Sequence, residues 1–324
     1  MPSVFIKNNM AAGDILMLTA AVRDLKTSHQ EYHIGVGTSY MEFWENNPYI
    51  DRNVTEDNAE KVIYADYPLY KQNNKLPYHF IHGFRKFLED ALEIRIEQGP
   101  FKVDLHLTDE EKDPRWTQRV IGNDKPFWII NTNWKPDITN KRWLPDRWQQ
   151  VVNQIGPAVQ WVQTGRSTQN SVDLSGVIDL RGITTPRQMI ELMYHASGVL
   201  TPISFPMHLA TMDTPSGNKR PCVVVAGGRE PSTWEAYPTH QFLHNCGCFD
   251  CNKDGGCWKR WTKKDQIIQN LYACSDQIVD DPSNVCSHPV PIGDGDFVPL
   301  CMCYIRAEEV VGAIRKYLFG DFGK

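Results

Sequence analysis

The sequence contains no long apolar run, no excess of positive charge, no internal repeat and no low-complexity tract. Because no segment has the length and apolarity needed to cross a bilayer, a membrane-spanning protein is not expected. The net charge of −5 at pH 7 argues against a protein that mainly coats nucleic acid, although a local basic patch is compatible with it. Apolar residues make up 41% and charged residues 23% of the 324 positions, which is typical of a globular chain with two ordinary domains.

A secretion signal is not expected either. Met1 to Lys7 leads directly into a short apolar strand pattern, and polar Asn8 and Asn9 follow it, which does not match a signal peptide. We therefore predict a cytoplasmic protein.

The nine cysteines are distributed unevenly. Cys222 stands apart, and the other eight fall between Cys246 and Cys303. In a reducing compartment such a cluster favours metal ligation over disulfides. Cys248 and Cys251 have the two-residue spacing that lets both sulfurs bind one ion. The alternative is a set of free buried cysteines, which would be unusual in a segment without strong periodicity.

Strands and helices alternate along most of the chain. The patterns of the N-terminal half predict, in order, strand Ser3–Lys7, helix Ile15–Leu25, strand Tyr32–Val36, strand Val62–Ala65, a polar loop at Asn73-Asn74 and helix Gly83–Ile96. Those of the C-terminal half predict strand Phe127–Asn131, helix Pro145–Ile155, strands Val159–Gln163 and Val177–Leu180, helix Pro186–His195 with Thr185 as N-cap, strand Gly198–Thr201, a helix from about Pro206, strand Cys222–Ala226 and a final helix Arg306–Leu318. This alternation implies a parallel, doubly wound sheet. The cysteine-rich stretch interrupts it and has the composition of an insert.

Open α/β sheets bind ligands where their strands end, and one such turn contains Gly13 and Asp14. Gly13 lets the backbone come close to a ligand. The carboxylate of Asp14 could accept a proton from an attacking hydroxyl. An aspartate at the start of a helix is more commonly an N-cap, and from these residues alone the cap is favoured.

A second turn follows a buried strand and concentrates Lys135, Lys141 and Arg142. Cations at this position would neutralise a diphosphate leaving group. A solvated basic loop, anchored in the core by Trp143 and Trp148, explains the same composition at least as well.

A third turn, from Thr201 to Ala210, places Ser204 and the first N–H groups of a helix at the same kind of position. Helix N-termini bind phosphate readily, and His208 could donate a hydrogen bond to it. A single histidine at a helix start is, however, more often structural.

Taken together, these segments resemble glycosyltransferase family 9, the heptosyltransferase family. The resemblance rests on motifs in matching order over most of the chain: Gly13–Leu16 (GDIL) with Leu25-Lys26, Asn47–Asp51 (NPYID), Lys141–Trp148 (KRWLPDRW), Asp179–Gly182 (DLRG), Thr201–Ala210 (TPISFPMHLA), and Cys301-Met302 with the final helix. Each motif is weak by itself, and their order makes the resemblance specific.

The resemblance implies an α/β protein of GT-B type, in which two Rossmann-like domains face each other across a cleft and a small Cys-rich insert binds metal. The expected boundaries are residues 1–122 for an N-terminal acceptor-side domain, 123–305 for a C-terminal nucleotide-sugar-binding domain that includes the insert at 246–303, and 306–324 for a C-terminal helix.

The resemblance also implies an inverting glycosyltransferase that moves a sugar from a nucleotide-diphosphate sugar to a hydroxyl acceptor. Asp14 matches the proposed catalytic base of the family, and Lys141 matches its diphosphate-contacting lysine. The remaining donor-binding residues expected are Gly13, Lys135, Ser204, Met207 and His208. In the implied mechanism the base takes the proton of the acceptor hydroxyl while its oxygen attacks the anomeric carbon opposite the diphosphate. This chemistry requires no divalent metal.

One position departs from the family pattern. Ile203 stands where the family usually has Asp, so a carboxylate that helps to hold the donor is absent. The donor sugar and its base stay open for this reason, and ADP-heptose is not assumed. The N-terminal half is short for the family, so the acceptor also stays open among a lipid-linked saccharide, a protein and a modified nucleic acid.

Part of the family, including autotransporter heptosyltransferases, carries a four-cysteine iron-binding finger. Trp234–Pro238 together with Cys257–Arg260 resembles this subset. The expected metal ligands are Cys251, Cys257, Cys286 and Cys301, with Cys248 as the first substitute. Four thiolates suit structural zinc or structural iron, and the sequence does not choose between them.

Two other functions stay open from the sequence. The first is a sugar-nucleotide epimerase of the same fold. The second is a non-catalytic binding module, in which the metal finger recognises a protein or nucleic acid on a Rossmann scaffold.

Overall fold

The computed structural model describes residues 2–65, 75–76, 78–166, 170–263 and 282–320. The chain forms two compact units. Unit 1 comprises Met1–Asn123, Thr185–His195 and Ser204–Lys219, and unit 2 comprises Asp124–Thr184, Ala196–Ile203 and Arg220–Lys324. The expected boundaries place the last two segments of unit 1 in the C-terminal domain, but the helices of these segments pack on elements of unit 1. The division into an acceptor domain and a donor domain stays a prediction.

Unit 1 is built around a three-stranded parallel sheet in the order β2–β1–β3. The strands are β1 Ser3–Asn8, β2 His33–Thr38 and β3 Lys61–Tyr64. Val4, Ile6 and Asn8 are buried while the residues between them are half-buried, because side chains alternate along a strand. The helices of this unit are α1 Ala12–Ser28, a 3-10 helix Met41–Trp44, α2 Phe80–Leu92, α3 Arg115–Ile121, α5 Pro186–His195 and α6 Phe205–Leu209.

Helix α1 is the central helix of unit 1. Every residue from Asp14 to Leu25 is buried, which is the pattern of a helix covered on all sides. Its main partners are α2 and α6. The helix ends at His29, whose N–H donates to the carbonyl of Leu25 (2.9 Å). It therefore extends beyond the predicted Ile15–Leu25 at both ends.

Unit 2 contains a six-stranded parallel sheet in the order β6–β5–β4–β7–β8–β9. The strands are β4 Phe127–Asn131, β5 Gln160–Thr164, β6 Ile178–Asp179, β7 Gly198–Pro202, β8 Cys222–Gly227 and β9 His240–His244. From β4 the chain adds β5 and β6 on one side of the sheet. It then adds β7, β8 and β9 on the other side of β4. This is the doubly wound order of dinucleotide-binding folds, which bind ligands at the carboxyl ends of the strands beside the reversal point.

The core of unit 2 lies under helices α4 Pro145–Ile155 and α9 Ala307–Phe319, which pack against each other. Trp143 and Trp148 are buried in it with their rings in an edge-to-face contact at 4.9 Å. Trp143 Nε1 also donates to the carbonyl of Ile305 (2.9 Å). The expected role of both tryptophans as core anchors agrees with these contacts, and the final helix belongs to unit 2 by packing.

The cysteine-rich segment adds small elements to unit 2. They are short helices α7 Ser232–Glu235 and α8 Leu300–Cys303, and an antiparallel hairpin of β10 Pro289–Gly293 and β11 Asp296–Pro299. The sequence analysis did not predict the hairpin, β9, α3 or the 3-10 helix at Met41–Trp44. The predicted loop at Asn73-Asn74 lies outside the described residues.

Several predicted elements are confirmed. Strand Phe127–Asn131 and helices Pro145–Ile155 and Pro186–His195 have the predicted bounds. Thr185 is the N-cap of α5, since its Oγ1 accepts the N–H of Gln188 (3.1 Å). The expectation of a mixed α/β fold with parallel sheets is therefore correct. Among the described residues, we find no helix long and apolar enough to cross a membrane.

Candidate active site

The turn after β1 carries Gly13 and Asp14, and Asn8 holds it in place. The Asn8 side chain donates from Nδ2 to the carbonyl of Ala65 (2.9 Å) and accepts the N–H of Met10 at Oδ1 (2.8 Å). Asn8 ends β1 and Ala65 directly follows β3, so these bonds tie the turn to the carboxyl ends of both strands.

Gly13 lies in the first turn of α1, directly against the ring of His208. A Cβ at position 13 would lie 2.9 Å from Cδ2 of His208, which is closer than carbon atoms approach each other. His208 is itself buried at the end of α6. The glycine is thus needed for helix packing within unit 1, and a role in approaching a ligand stays a prediction.

Asp14 is a buried carboxylate at the third position of α1. Its Oδ2 accepts the N–H of Ala11 (3.1 Å), so the residue caps the helix from inside rather than from the N-cap position, which Ala11 occupies. The N–H of Ala11 is one of the donors that the start of a helix leaves without an intrahelical partner, so this contact gives the carboxylate a structural role, and its role as a general base stays a prediction.

Ser204 and Phe205 begin α6, and Met207 is completely buried within it. The ring of Phe205 lies 5.6 Å from that of Phe43, which in turn lies 5.2 Å from the ring of Tyr40. The three rings are nearly parallel, and such stacks are rigid. The stack could not be predicted from the sequence, because Phe205 is distant in the chain from Tyr40 and Phe43 and only the tertiary fold brings it to them.

The basic loop after β4 is not a set of free cations. Lys135 pairs with Asp137 (3.3 Å), and its side chain is 56% exposed. Arg142 pairs with Asp296 (2.7 Å) and lies over the ring of Trp134 at 4.3 Å. These contacts leave Lys135 at the surface and fix Arg142 against the hairpin.

Lys141 is more buried than Lys135 and is paired with a carboxylate that the sequence analysis did not identify. Its Nζ lies 2.7 Å from Oε1 of Glu230, whose side chain is 3% exposed. Arg229 also pairs with Oε1 of Glu230. The available sequence signal was Arg229-Glu230-Pro231, which begins two residues after the end of the fully buried strand β8. Lys141 and Glu230 thus meet on the carboxyl side of β4 and β8.

The four predicted metal ligands line one cavity in unit 2. Cys251, Cys257, Cys286 and Cys301 share this cavity with other residues that include Asn140, Arg229 and Lys259. Cys248 is exposed and lies outside the lining. Cys274 lies outside the described residues.

The cavity brings four thiols together, but within the described residues they are not arranged as a metal site. Burial raises the pKa of the Cys257 and Cys286 thiols and raises the pKa of Cys301 to about 12, so without a cation they are protonated at neutral pH. The N–H of His288 donates to Sγ of Cys286 (3.4 Å). Within the ranges that the structure describes, no group of three or more His, Cys, Asp or Glu side chains is arranged to hold an ion.

No family model matches the sequence, and no curated protein is similar to it by sequence. The fold, however, is similar to solved structures. A family 9 glycosyltransferase from Veillonella parvula DSM 2008 shares 14% identity at a TM-score of 0.62, with 98% of this chain and 97% of that chain covered. ADP-heptose LPS heptosyltransferase II from E. coli shares 12% identity at 0.53, with 98% of both chains covered.

A third similar structure is the iron-containing dodecameric glycosyltransferase TibC from enterotoxigenic E. coli H10407. It shares 16% identity at a TM-score of 0.60, with 97% of this chain and 75% of that chain covered. TibC has also been solved with ADP-D-beta-D-heptose. Over almost its whole length, this chain therefore has the mixed α/β fold, with parallel sheets, of GT-B heptosyltransferases.

Proposed function

We propose that the protein is an inverting glycosyltransferase that transfers a sugar from a nucleotide-diphosphate sugar to a hydroxyl acceptor. The observation that carries the proposal is the similarity of fold to family 9 glycosyltransferases over 97–98% of the chain. The motif series found in the sequence supports it independently, because motif order does not depend on the comparison of folds.

Asp14 is the proposed general base. Its carboxylate accepts the proton of the acceptor hydroxyl while the oxygen of that hydroxyl forms a bond to the anomeric carbon. The bond between this carbon and the diphosphate oxygen breaks at the same time, and the nucleoside diphosphate leaves with the bonding electrons. The position of Asp14 in the first turn of α1, beside the carboxyl end of β1, supports this role.

Lys141 is proposed to stabilise the leaving diphosphate, and Gly13, Lys135, Ser204, Met207 and His208 are proposed to help bind the donor. Helix α6 has only five residues, so backbone N–H groups and Ser204 would contribute more to phosphate binding than a helix dipole. TibC, which has been solved with ADP-D-beta-D-heptose, supports a nucleotide-diphosphate sugar as the donor class. Ile203 is buried and apolar and cannot replace the usual carboxylate, so the proposal extends to nucleotide-diphosphate sugars and not specifically to heptose.

The four cavity cysteines are proposed to hold a structural zinc or iron ion. The donor set fits, because thiolates suit both metals and backbone N–H groups already point at Cys286, Cys257 and Cys301. Arg229 and Lys259, which line the same cavity, would offset the charge of the thiolates. TibC is iron-containing. Bound metal would fix the cysteine loop, by which we mean residues 246–263. A reducing compartment such as the cytoplasm would keep the thiols reduced.

The test begins with a thermal-shift screen of ADP, UDP and GDP sugars against the metal-loaded protein. A true donor at about one hundred times its Kd should stabilise the protein by about 2.7 kcal/mol. Release of nucleoside diphosphate is then measured with and without added acceptor, because transfer needs a second substrate whereas epimerisation does not.

Asp14→Asn is compared with Asp146→Asn, which changes an exposed aspartate in the first turn of α4. We expect Asp14→Asn to bind the donor and to lose about 10²–10⁴-fold in transfer rate, while Asp146→Asn stays active. Equal transfer by the two variants would contradict the role of Asp14, and a protein that binds no nucleotide sugar would contradict the proposed function as a whole.

A further inference from the structure

Lys141, Glu230 and Arg229 form a buried group of three charges in unit 2. Nζ of Lys141 and the guanidinium of Arg229 share one oxygen, Oε1 of Glu230. Only 18% of the Lys141 side chain, 3% of Glu230 and 5% of Arg229 is exposed. Oε2 of Glu230 is buried and accepts no hydrogen bond from any residue in the described part of the chain.

The shared oxygen determines where the ammonium group of Lys141 lies. A lysine ammonium is a point charge on a flexible four-carbon stem, so its position is set by what it pairs with. A buried carboxylate is a strong partner because little water competes for the ammonium. The group contains two cationic side chains and one carboxylate, so its formal charge is positive and an anion is still attracted to it.

Residues 258–260 of the cysteine loop form hydrogen bonds beside both Glu230 and Lys141. The carbonyl of Lys259 accepts from Nε of Arg229 (2.8 Å), and the N–H of Trp258 donates to the carbonyl of Arg229 (3.0 Å). On the other side, the N–H of Asn140, next to Lys141, donates to the carbonyl of Arg260 (3.1 Å).

Three further hydrogen bonds lie beside these contacts. The N–H of Thr262 donates to Oγ1 of Thr139 (3.0 Å), and Sγ of Cys246 donates to the carbonyl of Glu230 (3.1 Å). Cys257, one of the cavity cysteines, donates its N–H to the carbonyl of Gly228 (3.2 Å). Residues 257–262 thus bridge the backbone on both sides of the ion pair.

We infer that Glu230 is a positioning residue for Lys141, and that residues 257–262 of the cysteine loop hold the pair in place for binding the diphosphate of the donor. The inference rests on the proposed function and adds a residue that the motif series does not contain. It also gives the cysteine loop a role at the donor site, because a displaced loop would displace the ammonium of Lys141.

A purely electrostatic role of Glu230 and a positioning role predict opposite effects of its removal on anion binding. If Glu230 acted only by its charge, Glu230→Ala would strengthen binding of an anion, because a nearby negative charge is gone. If it positions Lys141, Glu230→Ala weakens binding by about tenfold or more, the size of one lost hydrogen bond to a charged group, and Glu230→Gln keeps most of the affinity because its amide oxygen still accepts from Lys141.

The affinity of inorganic pyrophosphate, the group common to all nucleotide-diphosphate donors, is measured by calorimetry for the full-length metal-loaded protein. Glu230→Ala is combined with Lys141→Met. We expect Glu230→Ala to weaken pyrophosphate binding in the wild-type background and to have no further effect in Lys141→Met. Glu235→Gln, which changes a buried carboxylate in α7, serves as the control and should bind normally.

Cys257→Ser tests whether the cysteine loop holds the pair in place, and it uses the same measurement in the same two backgrounds. It should weaken pyrophosphate binding when Lys141 is present and not in Lys141→Met. Melting temperature and metal content are recorded for each variant. Should Glu230→Ala fail to fold, Glu230→Asp replaces it, since this variant keeps the charge, retracts it by one methylene group and should still weaken binding.

Unchanged or tighter pyrophosphate binding by Glu230→Ala, or by Glu230→Asp in its place, would overturn the inference, and so would an equal loss in both backgrounds. If Lys141→Met itself binds as tightly as the wild type, the proposed diphosphate role of Lys141 fails together with the inference. If Lys141→Met binds weakly and Glu230→Ala binds normally, only the inference fails.

Discussion

The turn after β1 in unit 1 and the loop after β4 in unit 2 each carry a charged residue that we expect to act in catalysis, but they hold it differently. Asp14 is fixed locally, by its helix and by the N–H of Ala11 three residues earlier. Lys141 is fixed by Glu230, which follows a different strand, and by backbone bonds to the cysteine loop. A local motif can therefore specify the position of Asp14, whereas the position of Lys141 depends on the correct folding of distant segments.

The largest effect on stability is expected for the cavity cysteines of unit 2. Cys257→Ser should abolish metal binding and with it the stabilisation by metal, which is about 4 kcal/mol when free metal is about 1,000 times its Kd. Cys248→Ser is the matched control, because Cys248 lies outside the cavity, and it should keep both metal and stability. Metal analysis and thermal melts of the two variants test this prediction. Retention of metal by Cys257→Ser would show that the proposed ligand set is wrong.

A smaller effect is expected at the packed turn of unit 1. Gly13→Ala places a methyl group 2.9 Å from His208 and should destabilise the protein by about 1–2 kcal/mol, since overpacking outweighs the better helix propensity of alanine. Gly312→Ala in α9 has open space around it and should stabilise by up to about 1 kcal/mol. Urea unfolding measures both changes. Adding His208→Ala should remove the cost of Gly13→Ala, and a cost that persists would mean that another contact is responsible.

The aromatic stack of unit 1 should contribute less. Tyr40→Leu keeps an apolar side chain but removes one ring from the stack with Phe43 and Phe205, and should cost about 1 kcal/mol. Tyr78→Leu, at a tyrosine of unit 1 that is 37% exposed, is the comparison and should change the free energy of unfolding less. If the two variants are equally stable, the stack contributes nothing beyond apolar contact.

The last effect concerns the pH dependence of stability and is confined to unit 1. Burial, with a further contribution from the negative charge of Glu111, raises the pKa of Glu191 from 4.5 to about 7. A raised pKa means that the folded state holds this proton more tightly than the unfolded state, so the stabilisation is complete below pH 4.5 and is lost as the pH rises through about 7. Glu191→Gln should match the wild type below that range and exceed it in stability above it. Identical pH profiles in urea unfolding would contradict the raised pKa.

These contrasts also explain what the sequence could predict. Helix Pro186–His195 and strand Phe127–Asn131 follow apolar periodicity and clear caps, and both were predicted to the residue. Strand β9, His240–His244, has two histidines and a glutamine among its five residues, so its composition does not indicate a strand. This segment is a strand because it pairs with β8, and the periodicity of its sequence does not indicate that pairing.

The candidate site shows the same limit: contacts between neighbours in the sequence could be predicted, and contacts made only by the tertiary fold could not. Gly13 and Asp14 could be placed at a sheet edge because strand, turn and helix are consecutive in the chain. Neither the contact of Gly13 with His208 nor the pairing of Lys141 with Glu230 could be predicted, because each joins residues that only the tertiary fold brings together. The roles of all these residues in donor binding and catalysis stay predictions.

The discontinuity of unit 1 affects how the protein is made. Helix α6 packs on α1, yet it is translated after four strands of unit 2, β4 to β7. On the ribosome, α1 therefore emerges long before its partner, and unit 1 stays incomplete until Lys219 has been synthesised. A gene fragment ending near codon 122 would encode α1 without α6, so separate expression of two halves should give an aggregation-prone N-terminal product.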